Sequence, residues 1–384
     1  MQQHEHTALA TGRNAGIDLL RGLSILLVVL HHLGLRLPLK KTELADVLPT
    51  RLLGALNWNG YEAVFVFFVI SGFLITSNTL RRSGTLAQID LRAFYARRFS
   101  RIAPCLLVLV GVLSAFHWLG IPNFVISREG QSLPRAIVAA LGFHLNWYEG
   151  VTGYLPGNWD VLWSLSIEEV FYLGFPLACL LLRRPSVLAF ALLGLAVSLP
   201  WTLAAIVDND IWKEKAYLPG MAAIAMGVLG ALASAHWRAP LWAVRLLRWG
   251  GAIGLFTVFI GMRWLWPLLQ DGVMLLLTFS AVCVLIACAQ QPSARPWKGL
   301  GWLHRWGALS YEIYLTHMFV VFSVVGCFHA FSGELRHAWL WYLPAMPLCW
   351  LLGSVVERWL SLPSERWLRG RWLAPRAQTT VAIT

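Results

Sequence analysis

The 384-residue chain is 58% hydrophobic and only 13% charged, where an ordinary soluble domain carries about a quarter charged residues. Apolar runs long enough to cross a hydrocarbon layer roughly 30 Å thick recur from end to end, which excludes a soluble enzyme. The net charge of +12 sits in short clusters at the ends of those runs, as membrane-orientation signals do. Nucleic acid would need a continuous basic face, so no nucleic-acid partner is expected.

In chain order, about ten membrane helices are predicted, near 17–37, 61–80, 102–120, 160–182, 187–207, 216–235, 247–268, 272–290, 309–330 and 338–358. The fold class is therefore an all-α polytopic integral membrane protein with no soluble domain. Residues 1–16 form a tail, 17–360 the transmembrane domain and 361–384 a second tail. Helix 1 lacks a small-residue cleavage site and is too long for a signal-peptide core. Most of the basic residues, Arg295 among them, fall on the segments that share a side with the N-terminus, which predicts cytoplasmic termini. Many of the 21 tryptophans lie near run ends, where an amphipathic ring suits the headgroup region. The six cysteines fall inside apolar runs without a CxxC pair, so they read as small buried hydrophobes, and no metal site is implied.

Ionisable residues at membrane depth are costly and mark functional candidates. In helix 1, His32 is eleven positions after Arg21, which brings the two within about 20° of one face and about 16 Å apart along the axis. Asp18 joins that stripe, whereas His31 is rotated about 80° away from Arg21. A snorkelling arginine with an interfacial histidine pair fits the same pattern. In helix 2, Ser71 and Gly72 form a small-residue notch that permits close helix approach. The segment FYARRFSRIAP places Arg97, Arg98 and Arg101 on part of one helical surface. Arginine forks suit a polyphosphate, although orientation alone also explains basic residues there.

The segment NWDVLWSLSIEEVFYL puts two adjacent carboxylates, Glu168 and Glu169, inside an apolar span, with Ser164 on the face of Glu168. Two such neighbours in low dielectric call for a proton or a cation partner. Near the end, GALSYEIYLTHMF carries Tyr311, Glu312, Tyr314 and His317. The long loop 121–159 holds Trp147, Tyr148 and Trp159, and loops of that length are often functional.

These segments, taken in order, resemble the bacterial membrane acyltransferase-3 family. LLRGLSILLVVLHH is similar to the family's R-x10-H helix, with Arg21 and His32 in register. FVISGFLIT, YARRFSRIAP, WSLSIEEVFYL and LSYEIYLTH are similar to its later motifs. Departures are His31 directly before His32 and the charged Glu312.

The resemblance implies an acyl-CoA-dependent O-acyltransferase of the bacterial inner membrane. It would move an acyl group, acetyl foremost, from the cytoplasm to a hydroxyl of an extracytoplasmic glycan or glycoside. Acyl-CoA would be a co-substrate, with no bound cofactor. On that reading Arg97, Arg98, Arg101 and Arg21 hold the coenzyme's phosphates. His32 is general base or acyl carrier, with Glu168 or Glu169 orienting it. Ser71, Ser164, Tyr311 and His317 complete the binding residues, and Trp147, Tyr148 and Trp159 offer a surface for sugar rings. A homo-oligomer is compatible with the sequence. The competing class is a secondary transporter of a glycan precursor or anion, but the paired halves of many transporters are not visible.

Overall fold

The computed structural model describes residues 13–293, 297–331 and 333–373. Arg295 and parts of both expected tails lie outside that range. Among the described residues the chain is helical throughout, without strands. The principal helices are α1 (Ala15–Gly34), α2 (Gly60–Ser83), α3 (Leu91–Trp118), α4 (Leu145–Thr152), α5 (Leu162–Leu181), α6 (Pro185–Val197), α7 (Leu199–Ala204), α8 (Tyr217–His236), α9 (Leu241–Leu269), α10 (Gly272–Gln290), α11 (Gly301–Ala308), α12 (Ser310–Phe331), α13 (Tyr342–Val356) and α14 (Leu362–Leu373). The last two join through a wide turn, Glu357–Ser361, so the helix runs past residue 360.

Local chemistry sets the ends. The Asn14 side chain accepts from the Gly16 and Ile17 amides, which start α1, and Asp90 accepts from the Ala93 amide at the start of α3. Such caps satisfy donors that the first helical turn leaves unpaired. Gly84, at φ 72°, closes α2 just after Arg81 and Arg82, a backbone conformation that suits glycine.

Among the described residues, nine helices are long and apolar enough to cross a membrane. The segment expected at 187–207 is instead two pieces, α6 and α7, broken at Ser198 ahead of Pro200. Proline tolerates only the first turn of a helix, so it restarts the helix there. Helix directions show that this broken segment still crosses. A Cβ on Gly220 would lie 3.0 Å from Phe68 Cε2, and one on Gly230 would lie 3.4 Å from Phe73 Cδ2. Those contacts ascend together, so α2 and α8 run parallel. In the same way Arg21 meets Ser310 and His32 meets His317, so α1 and α12 run parallel. With simple alternation, each pair needs one more crossing between its members than the nine long helices supply, and α6–α7 supplies it. Ten crossings result, as the sequence predicts.

Of the expected notch, Gly72 lies at the α2–α8 contact, where a Cβ would strike the Ile224 carbonyl and a small residue lets two backbones approach, whereas Ser71 turns to Tyr172 of α5. At the other extreme, α9 buries little of its apolar length and leaves Trp242, Trp249, Phe256 and Trp264 exposed. That face is suited to lipid. Cys288 is half-buried and Cys327 exposed, because their helix faces turn outward, so burial does not extend to all six cysteines.

Candidate functional site

α1 is packed between α2, α11 and α12, so its polar stripe looks into protein and carries a polar cluster at each end. At the first end, Arg21 Nη2 donates to Ser310 Oγ at 2.8 Å, and Arg21 Nη1 lies 3.7 Å from Asp18. The expected Asp18–Arg21 stripe is therefore an ion pair. Arg101 faces Arg21 electrostatically, and its guanidinium lies 5.7 Å from the Tyr311 ring. Tyr311 donates its hydroxyl proton to the Ile102 carbonyl at 3.1 Å. Arg98 sits 4.5 Å over the Tyr172 ring.

Glu168 lies in hydrogen-bonding reach of Ser71 and Tyr172, with Arg98 as its principal countercharge. Ser71 and Tyr172 also bond each other. Glu169 is buried beside Glu168 and Arg98, and its Oε1 has no partner among the described residues. Glu312, the residue of open role, is buried and accepts from Ser361 Oγ at 2.7 Å. Arg97 turns to the flank of this cluster, toward Arg82, Asp90 and Arg369.

The other end belongs to the histidines. The His32 ring lies 5.1 Å from that of His317 and 5.3 Å from that of His31. His317 is fully buried, and its Nδ1 donates to the Tyr314 carbonyl at 2.7 Å. That bond fixes the proton on Nδ1 and leaves Nε2 an acceptor, which has no partner among the described residues. His31 differs in kind, since its Nδ1 bonds the Asn57 carbonyl at 2.9 Å and its ring packs where Gly60 lacks a side chain. Between the two ends, Ser164 Oγ and the Tyr314 hydroxyl are 2.7 Å apart, and that hydroxyl donates to the Val161 carbonyl.

Two expectations need correction. Among the described residues, both glutamates expected to orient His32 group with Arg98, while His317, His31, Arg36 and Lys215 are the groups that weigh most on His32. Of the three loop aromatics expected to face sugar rings, one remains at the surface. Trp147 is 55% exposed, but Tyr148 and Trp159 are buried, because the loop folds into helices that turn them inward. Tyr148 accepts the Ser132 amide there.

Sequence reasoning missed Tyr172 and Arg36. Each lies four residues after a residue that was found, Glu168 and His32, a spacing that was the available signal. It also missed the buried cluster of Lys215, Glu149 and Asp160, for which no local signal exists.

A family model described as an acyltransferase domain matches residues 14–358. O-acetyltransferase OatA of Staphylococcus aureus is 31% identical over 175 residues, covering 42% of this chain and 24% of that protein. Peptidoglycan O-acetyltransferase OatA of Listeria monocytogenes is 26% identical over 341 residues, covering 78% of this chain and 48% of that protein. The chain thus spans less than half the length of either relative. No solved structure matches the chain significantly.

Proposed function

This chain belongs to the acyltransferase-3 family, and we propose that it is a membrane O-acetyltransferase joining a cytoplasmic acetyl-CoA donor to an extracytoplasmic glycan hydroxyl. The observation that carries the reading is that one helix holds both polar clusters. Arg21 stands among Arg98, Arg101 and the glutamates, His32 stands against His317, and the two are about 16 Å apart along α1. Peptidoglycan is a candidate acceptor, since the Listeria relative is named for it.

In this reading the arginine end faces the cytoplasm and takes the coenzyme's phosphates, for which guanidinium forks are suited. The pantetheine arm extends along the α1 stripe and brings the thioester to His32. His32 takes the proton of the acceptor hydroxyl as its oxygen attacks the thioester carbonyl. The C–S bond then breaks, and the thiolate recovers the proton from His32, giving the acetyl ester and free CoA. His317, with its proton held on Nδ1 by a carbonyl, presents Nε2 as an acceptor that orients His32 or the hydroxyl. Glu168 and Glu169 hold Arg98 in place at the donor end.

The test is CoA release from acetyl-CoA by the purified protein in nanodiscs, with and without an envelope-glycan extract. Release stimulated by the extract and lost in a folded His32→Ala variant is the expected result. No turnover and no acyl-CoA binding by a folded sample would move the assignment to anion transport.

A further inference from the structure

One turn beyond His32, the side chain of Arg36 enters an open groove of about 490 Å³ whose lining includes Asn123, Ser127, Pro156, Gly157 and Phe322. The groove adjoins the histidine pair. Arg36 Nη1 donates to the His32 carbonyl at 2.9 Å, and Phe322, under the guanidinium at 4.5 Å, is on α12 beyond His317. Gly157 closes the wall. A Cβ there would come within 3.3 Å of Arg36 Nη2 and 2.7 Å of Met318 Cε, so the residue is kept small where the guanidinium lies.

Arg36 is short of partners. Its guanidinium carries five N–H donors, and one bonds a carbonyl. Among the described residues no carboxylate lies within ion-pair distance of it. The carboxylate that faces it, Asp160, is held by Lys215. Burial lowers the pKa of Arg36, a cost that an anionic partner would relieve. The nearby polar groups Asn123 and Ser127 are exposed and offer neutral hydrogen-bonding groups beside the cation.

We infer that this groove is the acceptor subsite and that it takes an anionic saccharide, with a carboxylate or phosphate seated on Arg36 while a hydroxyl of the same ligand reaches His32. The inference rests on the reading above, in which the histidine end receives the acceptor. It adds what that reading lacks, the charge of the substrate. A guanidinium on an aromatic ring gives an oxyanion both its charge and paired donors, whereas a neutral sugar would leave most of those donors unanswered.

The experiment measures equilibrium binding of matched oligosaccharides to the full chain in phosphatidylcholine nanodiscs. The ligands are neutral, uronate-bearing and phosphorylated oligosaccharides of equal length, and no acyl donor is present. The two anionic arms show which oxyanion the groove prefers. At least tenfold tighter binding of one anionic ligand over the neutral one is expected, with the preference lost in Arg36→Gln. Asn123→Asp, an isosteric change on the groove rim that needs no repacking, should weaken anionic binding at least threefold and leave neutral binding unchanged. It decides the matter even where Arg36→Gln fails to fold. Equal binding of all three ligands by the wild-type chain, a preference that survives Arg36→Gln, or one that Asn123→Asp leaves undiminished, overturns the inference. Because no turnover is measured, these outcomes are separate from failure of the acetyl-CoA assay.

Discussion

The buried cation at Lys215 allows a worked test of how the region around the histidine end is held. Lys215 and Glu149 are 1% and 0% exposed, with Nζ 2.7 Å from Glu149 Oε2. Asp160, more open at 19%, is the second partner, and the Tyr154 ring lies 4.4 Å from Nζ. Glu149 uses its other oxygen to accept the Leu155 amide at 2.9 Å, so the cluster fixes the turn that leads to Pro156 and Gly157. Lys215→Met leaves a fully buried carboxylate without its cation, which costs about 3–5 kcal/mol, on the order of 10²–10⁴-fold in the folded-to-unfolded ratio. Lys215→Met combined with Glu149→Gln removes both charges and should recover much of that loss, because Asp160 can be hydrated.

The sign of the pH dependence follows from Glu149. Burial, with the Asp160 charge adding, pushes its carboxyl above the ordinary range, against the pull of Lys215. Without Lys215 the raised value stands unopposed. A group with a folded-state pKa above its unfolded one contributes stability below the unfolded pKa and loses it as pH rises through the folded pKa. The Lys215→Met deficit should therefore shrink as pH falls and be largest in alkali. Denaturation in mixed micelles, followed by tryptophan fluorescence across that range, reads both effects. A single-variant cost below about 1 kcal/mol, the value of an exposed pair, or a double variant costing the sum of the singles, would refute the reasoning.

Three further outcomes are expected. Gly72→Val should destabilise the chain by at least about 1–3 kcal/mol, because the Ile224 carbonyl stands where its Cβ would go, while Gly174→Ala meets nothing within 4 Å and should be neutral or stabilising; equal thermal stability of the two would contradict the α2–α8 crossing. Arg98→Ala and Arg101→Ala should each raise the apparent KM for acetyl-CoA about tenfold or more, with a smaller effect from Arg97→Ala on the flank, and unchanged donor saturation curves would reduce all three to orientation signals. His31→Gln should cost about 1 kcal/mol through its bond to Asn57 and keep turnover, whereas His32→Gln should lose turnover and keep stability; matching losses of activity would mean that the two histidines act together.

What the sequence revealed was what recurs within one helix. The Arg21–His32 stripe, the Asp18 pair and the close approach at Gly72 all follow from local helical geometry, and the structure shows each of them. What it concealed was the choice of partner across helices. Glu168 and His32 are both polar residues at membrane depth, and nothing local says that one faces Arg98 and the other His317. Residues 121–159 differ from the expectation for a related reason. An aromatic-rich connection reads as an exposed surface, but short helices such as α4 and Gly157–Asp160 bury Tyr148 and Trp159 as ordinary core. The broken helix α6–α7 shows the limit of length as evidence, since the directions of α1, α2, α8 and α12, and not its own residues, establish that it crosses.

Those directions also explain how two distant clusters are kept in register. α1 and α12 run parallel, so each helix supplies one residue to each end: Arg21 with Ser310, then His32 with His317. Seven residues on α12 rise about 10.5 Å, against about 16 Å for the eleven on α1, and the side chains that join the two helices span the difference. Had the pair run antiparallel, Ser310 would lie beside His32 and His317 beside Arg21, and neither cluster would form. The missing length of α6 and α7 therefore matters less than their direction, because the extra crossing is what brings α12 back in the sense that α1 requires.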